Sequence, residues 1–291
     1  MNQSLQDARA GTANAERAQV KSPLRLDAVA NTALNAAARF WFVVAVAGQW
    51  LFAFYVAAFY GGAAASGDWE AWNKALPRGL MAGDSFGNAT LAAHLFLAVV
   101  ITVAGPLQFI AQIRTGAPSF HRWSGRLYVL TAFTMSAGGL YMLLTRGTVG
   151  DASQHLAIWL NAVVIMLCAA LAWRNALARN FGAHRRWALR LFLVVNGVWF
   201  FRIALMFWLV VNKRPVGFDP ATFQGPFLTF LAFAQFVPPL AVLELYLRAR
   251  NAASAPARIA MAAGLSALTV AMGVGIFGAF MGMWLPRLHW P

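Results

Sequence analysis

Four of the five histidines, His94, His121, His155 and His184, fall one each in or at the start of four consecutive apolar runs, while His289 lies in the C-terminal tail. Successive helices in a bundle run in opposite directions, so the starts of alternate helices share a side. His94 therefore pairs with His155 at one membrane surface, and His121 with His184 at the other. The separations agree, 61 and 63 residues, and the local text repeats in part: Ala93-His94-Leu95 beside Gln154-His155-Leu156, and His121-Arg122 beside His184-Arg185. A single histidine at a helix end is more often an interface residue than a ligand. Four in matched positions point to two imidazole pairs. Two neutral imidazoles from facing helices can hold one iron from both sides, with a haem macrocycle filling the space between the helices. Each pair would then hold one haem b, and two haems would carry an electron across a hydrocarbon core of about 30 Å in shorter steps.

The arginines fit this chemistry, because guanidinium binds carboxylates, including haem propionates, in a planar bidentate manner. Arg122, Arg126, Arg185 and Arg190 surround the His121/His184 pair. Arg202 lies inside a span, in Trp199-Phe200-Phe201-Arg202, where an unpaired charge costs several kcal/mol. A propionate of the outer haem or an anionic substrate would neutralise it. The simpler alternative is a snorkelling side chain or a backbone partner.

The elements that must position these residues are membrane spans. The chain is 60% hydrophobic and 11% charged, whereas a soluble domain is about half apolar and a quarter charged. The sequence predicts an all-α polytopic bundle of about seven transmembrane spans, near 40–60, 88–113, 121–145, 153–173, 187–211, 224–247 and 259–284. Residues 1–39 read as a flexible cytoplasmic tail, and 40–291 as the bundle, with a four-helix core over 88–212. Of the 23 Lys and Arg residues, sixteen fall in the tail and loops on the N-terminal side and six on the opposite side. That bias predicts an N-terminus inside and a C-terminus outside a bacterial inner membrane. The net charge of +14 is thus a topology signal, and nucleic acid is not an expected partner.

Cys168, the only cysteine, reads as a small buried hydrophobe. Gly278 and Gly282 form a small-xxx-small stripe for close helix packing, and Trp284 and Trp290 suit an aromatic belt. No phosphate loop, zinc-protease motif or serine elbow is present, so nucleotide and hydrolytic chemistry are not expected.

The segments Gly105-Pro106-Leu107-Gln108-Phe109, His121-Arg122-Trp123-Ser124-Gly125-Arg126-Leu127-Tyr128 and His184-Arg185-Arg186-Trp187 resemble the bacterial membrane family called domain of unknown function 2306, over roughly residues 88–212. The one-histidine-per-helix pattern resembles the cytochrome b561 family of di-haem transmembrane electron carriers, with one helix more than its six. That resemblance implies His94 and His155 as ligands of an outer haem b, and His121 and His184 of an inner one. The expected function is electron transfer between a quinol or small reductant and an acceptor across the membrane, in possible contact with respiratory-chain proteins. Two alternatives stand beside it: a haem-handling or oxidase-assembly factor, and a transporter, for which broken helices are the signature. Gly105-Pro106 and Pro238-Pro239 are the strong helix interruptions in the text.

Overall fold

Inside hydrocarbon every backbone N–H and C=O must be satisfied within the chain, and the apolar runs do this as helices. The computed structural model describes residues 2–288 apart from 77 and 253, with side chains described from residue 25 onward. Among the described residues the chain is all-α, and the only extended pairing is an isolated bridge between Asp219 and Gln224. His289 and Trp290 lie outside the described residues.

Helix α1 (Asn2–Val56) continues through a π-helical turn (Ala57–Gly61) and a last α-turn (Gly62–Ala65). It is followed by α2 (Ser85–Leu107), α3 (Pro118–Thr145), α4 (Ala152–Leu177), α5 (Phe181–Val195), α6 (Gly197–Asn212), α7 (Pro226–Ala234), α8 (Val237–Asn251) and α9 (Ala255–Ala279). A second π-helical turn, Phe280–Trp284, prolongs α9. Among the described residues, five helical stretches are long and apolar enough to span a membrane, and the number reaches seven when α5 with α6 and α7 with α8 each count as one bent span. The starts are chemically marked. Asp84, Asp151 and Asn180 accept backbone N–H bonds at the beginnings of α2, α4 and α5, and Pro118 and Pro226 open α3 and α7.

Of the two interruptions the sequence suggested, Gly105-Pro106 falls in the last turn of α2, while Pro238-Pro239 stands in the first turn of α8 at a 42° bend, where the prolines meet the carbonyls four residues back. The larger bend, 53° between α5 and α6, occurs at Asn196 without any proline. There the freed carbonyls find amide donors. Asn196 donates to Phe192 O at 2.7 Å, Asn161 of α4 to Val194 O at 3.4 Å, and Gln235, at the second bend, to Ala232 O at 2.7 Å. A bend in lipid is tolerable when such side chains re-satisfy the backbone.

The chain divides into two units. The first comprises residues 1–43 and 242–270. Within it, Leu34 and Ala37 pack against Ala262 and Leu265, with Trp41 and Tyr246 beside them, and Arg258 forms an ion pair with Asp27. Residues 25–39, read above as part of a tail, thus continue α1. They are alanine-rich, and Ala30, Leu34 and Ala37 supply a buried face at i, i+4 and i+7.

The second unit, residues 44–241 and 271–291, contains α2 to α5 as a ring. Consecutive helices are neighbours, and α5 returns to α2 where Phe192 meets Gly105 and stacks edge-on against Phe109 at 5.0 Å. Ile101, Tyr128, Ala132, Cys168, Ala169, Leu191 and Val194 fill the middle, so Cys168 is a core residue as its sequence position suggests. Arg146 and Asp84 fasten the end of α3 to the start of α2: Arg146 Nε donates to the Asp84 carboxylate at 2.7 Å and its Nη1 to Gly79 O at 3.0 Å. Asp151, capping α4, also accepts from Thr229 of α7 at 3.2 Å. These contacts define one face by its acidic loops and the opposite face by its basic ones.

The small-residue stripe of α9 packs as expected. A Cβ on Gly278 would approach Val210 to 2.9 Å, and one on Gly282 would approach Met206 equally closely. Gly275 is tighter still, because its Cβ would lie 2.3 Å from the Ile203 carbonyl oxygen of α6. Trp284 corrects the aromatic-belt expectation. It is fully buried, since the π-helical turn rotates its indole inward against Phe52 and Tyr55.

Two outcomes are expected. Gly275→Ala should cost about 1–3 kcal/mol through forced separation of α9 from α6, lowering the unfolding midpoint in detergent, whereas Gly273→Ala, which meets open space, should leave it unchanged. The second concerns acid. The Arg146 guanidinium holds the Asp84 carboxyl below its ordinary 3.8, and backbone N–H donors do the same for Asp151 and Asp219. A depressed folded pKa contributes stability above the ordinary value and loses it as pH falls through the folded one. The midpoint should therefore drop between about pH 5 and pH 3, and Asp84→Asn should flatten part of that drop; a pH-independent midpoint would refute the linkage.

Candidate functional site

On the basic-loop face, α3 and α5 each place a histidine in their first turn. His184 follows the Asn180 cap, and its Nδ1 bonds the Ala172 carbonyl near the end of α4 at 2.9 Å. With Nδ1–H donating to that carbonyl, Nε2 keeps the lone pair. This carbonyl-fixed imidazole is the usual preparation of a metal-ligating histidine. His121 lies within electrostatic range of His184 and of Arg114, and its Nδ1 is buried with no hydrogen-bond partner among the described residues. Of the two pairs read from the sequence, this is the one whose members interact electrostatically among the described residues.

The surrounding text is explained locally. Gln108 at the end of α2 donates to Ser124 Oγ of α3 at 2.7 Å, and a Cβ on Gly125 would sit 3.2 Å from the Gln108 side-chain oxygen. Gly105 leaves room for the rings of Tyr128 and Phe192. These contacts tie three helices together just inside His121 and His184. The arginines repeat one motif: Arg126 lies over the Trp123 ring and Arg190 over the Trp187 ring, each at 4.6 Å. Arg122 donates to Ser119 Oγ at 3.0 Å, and Arg185 is exposed on the same face. Arg122 and Arg185 thus directly follow the two imidazoles, and Arg126 and Arg190 stand about one to two turns further along the same helices.

The other pair is held differently. His94 lies against α3, where the absence of a side chain at Gly139 leaves 3.6 Å between an added Cβ and the ring's Cε1, and the Met135 carbonyl adjoins the ring. Its Nδ1 is buried without a partner among the described residues. His155, in the first turn of α4, bonds the Thr148 carbonyl through Nε2 at 3.2 Å. Both engage α3 or the loop that follows it, and among the described residues no interaction joins them to one another.

Arg202 has a backbone partner on its own helix, the simpler alternative read from the sequence. The groups it interacts with are Phe52, whose ring centroid lies 5.4 Å away, the Val198 carbonyl of its own helix, Tyr55, Tyr60 and Arg287. None of these is a histidine. Tyr55, Tyr60 and Arg287 come from distant parts of the sequence and share no spacing with Arg202; the charge inside a span was the only signal that something must face it. Among the described residues no three His, Cys, Asp or Glu side chains cluster as a metal site. A two-imidazole site requires its remaining iron ligands from elsewhere, which a porphyrin supplies.

No curated protein and no solved structure matches the chain. The family described as Predicted membrane protein (DUF2306) matches residues 91–247, a stretch that contains all four of these histidines, both bends and more than half of the sequence. By that match, and by its bundle of apolar helices, the chain belongs to the DUF2306 family of membrane proteins.

Proposed function

We propose that this chain is a haem b membrane protein that passes electrons between a quinol or small reductant and an acceptor on the other side of the bilayer. The observation that carries the reading is the His121/His184 pair, in which the Ala172 carbonyl fixes the tautomer of one imidazole and the other has an orphaned, buried nitrogen. The donor set fits a haem: two neutral nitrogens from non-adjacent helices of a ring, with guanidinium groups beside them that suit propionates. His121 and His184 would hold the iron, and Arg122, Arg126, Arg185 and Arg190 would neutralise the propionates. His94 and His155 would serve a second haem toward the acidic-loop face. A haem supplies one-electron chemistry when bound. The protein's part is to orient the imidazoles, place positive charge and exclude water with the apolar core between the two levels.

The bent spans favour a second reading, a transporter, because discontinuous helices line many substrate paths. Against it, the amides of Asn161, Asn196 and Gln235 already occupy carbonyls freed at the bends.

The test is haem content of purified variants. His121→Ala and His184→Ala should each remove one haem per chain, and His94→Ala and His155→Ala should remove the other. Arg126→Gln and Arg190→Gln should retain haem but lower its reduction potential, because less positive charge beside the propionates favours the ferric state. Full haem occupancy in both His121→Ala and His184→Ala would exclude this ligand pair.

A further inference from the structure

Arg202 and Arg287 belong to a cluster that the histidine chemistry does not use. Arg202 spends one donor on Val198 O at 3.3 Å, and Arg287 one on Met283 O at 2.6 Å. A guanidinium carries five N–H donors and accepts nothing, so among the described residues donors remain on both, although Arg287 also bonds the Tyr55 hydroxyl. Beside them stand Tyr55, whose hydroxyl oxygen accepts from Arg287 and from the Tyr60 hydroxyl, and Tyr60 itself, whose ring meets that of Tyr55 edge-on at 6.1 Å. Trp284 closes the group, stacked on Tyr55 at 6.2 Å, with an indole Nε1–H that is buried and has no partner among the described residues. The backbone enters this region through both π-helical turns of the chain, Ala57–Gly61 and Phe280–Trp284, and such turns occur frequently at functional sites.

The charges do not balance. Among the described residues no carboxylate lies within ion-pair distance of either arginine. A neighbouring cavity of about 310 Å³ is lined by Arg287, by Asp68 and Lys74, which offset each other, and by the apolar Phe54, Ala58 and Phe59. Two guanidinium charges at the end of membrane spans, surrounded by hydroxyl and indole donors, call for a multivalent anion. Their charge matches a phosphate monoester better than a carboxylate, and a phosphate has more acceptor oxygens for the donors of Arg202, Arg287, Tyr55 and Trp284.

We propose that Arg202, Arg287, Tyr55, Tyr60 and the Trp284 indole form a binding site for a phosphate group, separate from the histidine pairs. The group can arrive on a phospholipid, whose chains would follow the apolar cavity wall, or as free phosphate. The test uses the full-length chain in detergent, with binding read by native mass spectrometry and by the shift of the unfolding midpoint. The probes are phosphatidic acid, diacylglycerol of the same chains, and inorganic phosphate against chloride at equal ionic strength.

Wild type should bind phosphatidic acid, inorganic phosphate or both, and not diacylglycerol; which of the two binds identifies the source. Arg202→Gln and Arg287→Gln should each weaken binding about tenfold or more, as loss of a charge-assisted hydrogen bond implies. Arg202→Lys, which keeps the charge but not the fork, should fall between. If Arg202→Gln does not fold, Arg287→Gln and Tyr60→Phe carry the comparison, and unchanged haem content in Arg287→Gln separates this site from the histidines. Absence of binding by wild type, binding of diacylglycerol equal to phosphatidic acid, or undiminished affinity in the arginine variants would overturn the proposal.

Discussion

A polar group in hydrocarbon must find its partner inside the protein, and most of this architecture follows from that constraint. It forces the apolar runs into helices and decides which irregularities survive. The bend at Asn196 persists because Asn161 and Asn196 donate to carbonyls that the bend frees, and Gln235 does the same at the next one. Arg146 is buried because Asp84, Gly79 and Asn88 receive its donors. Among the described residues, the buried polar atoms left without a partner lie on Gln49, Tyr128, Asn161, Arg258 and Trp284 as well as on His94 and His121, whose Nδ1 atoms are the imidazole nitrogens of the set.

Ring closure gives those groups their geometry. Because α5 returns to α2 through Phe192, Gly105 and Phe109, α3 and α5 stand across the ring from one another, and so do α2 and α4. Histidines at the starts of α3 and α5 therefore converge at one face, with the layer formed by Ile101, Tyr128 and Leu191 behind them. The carbonyl of Ala172, at the end of α4, orients His184. At the opposite face, the Arg146–Asp84 pair and the Asp151–Thr229 bond hold the loops near His94 and His155.

What could be read from sequence divides along physical lines. Span positions and helix starts were legible, since apolar length and the capping residues Asp84, Asp151 and Asn180 are local. Helix alternation likewise places His121 and His184 in the first turns of α3 and α5. The bend at Asn196 was not, because no proline marks it and its stability depends on Asn161 from another helix. The buried face of residues 25–39 was hidden by a low apolar content that alanine packing compensates. The surroundings of Arg202 depend on Tyr55, Tyr60 and Arg287, residues brought together by tertiary structure with no periodicity to reveal them.

The central claim is that the imidazoles of this bundle hold haem. It is tested most directly by the dithionite-reduced minus oxidised absorption spectrum of the full-length chain purified in detergent, with haem per chain quantified as the pyridine haemochrome. The account predicts the sharp α-band of bis-imidazole haem b and close to two haems per chain; a flat difference spectrum after expression with adequate haem would contradict it.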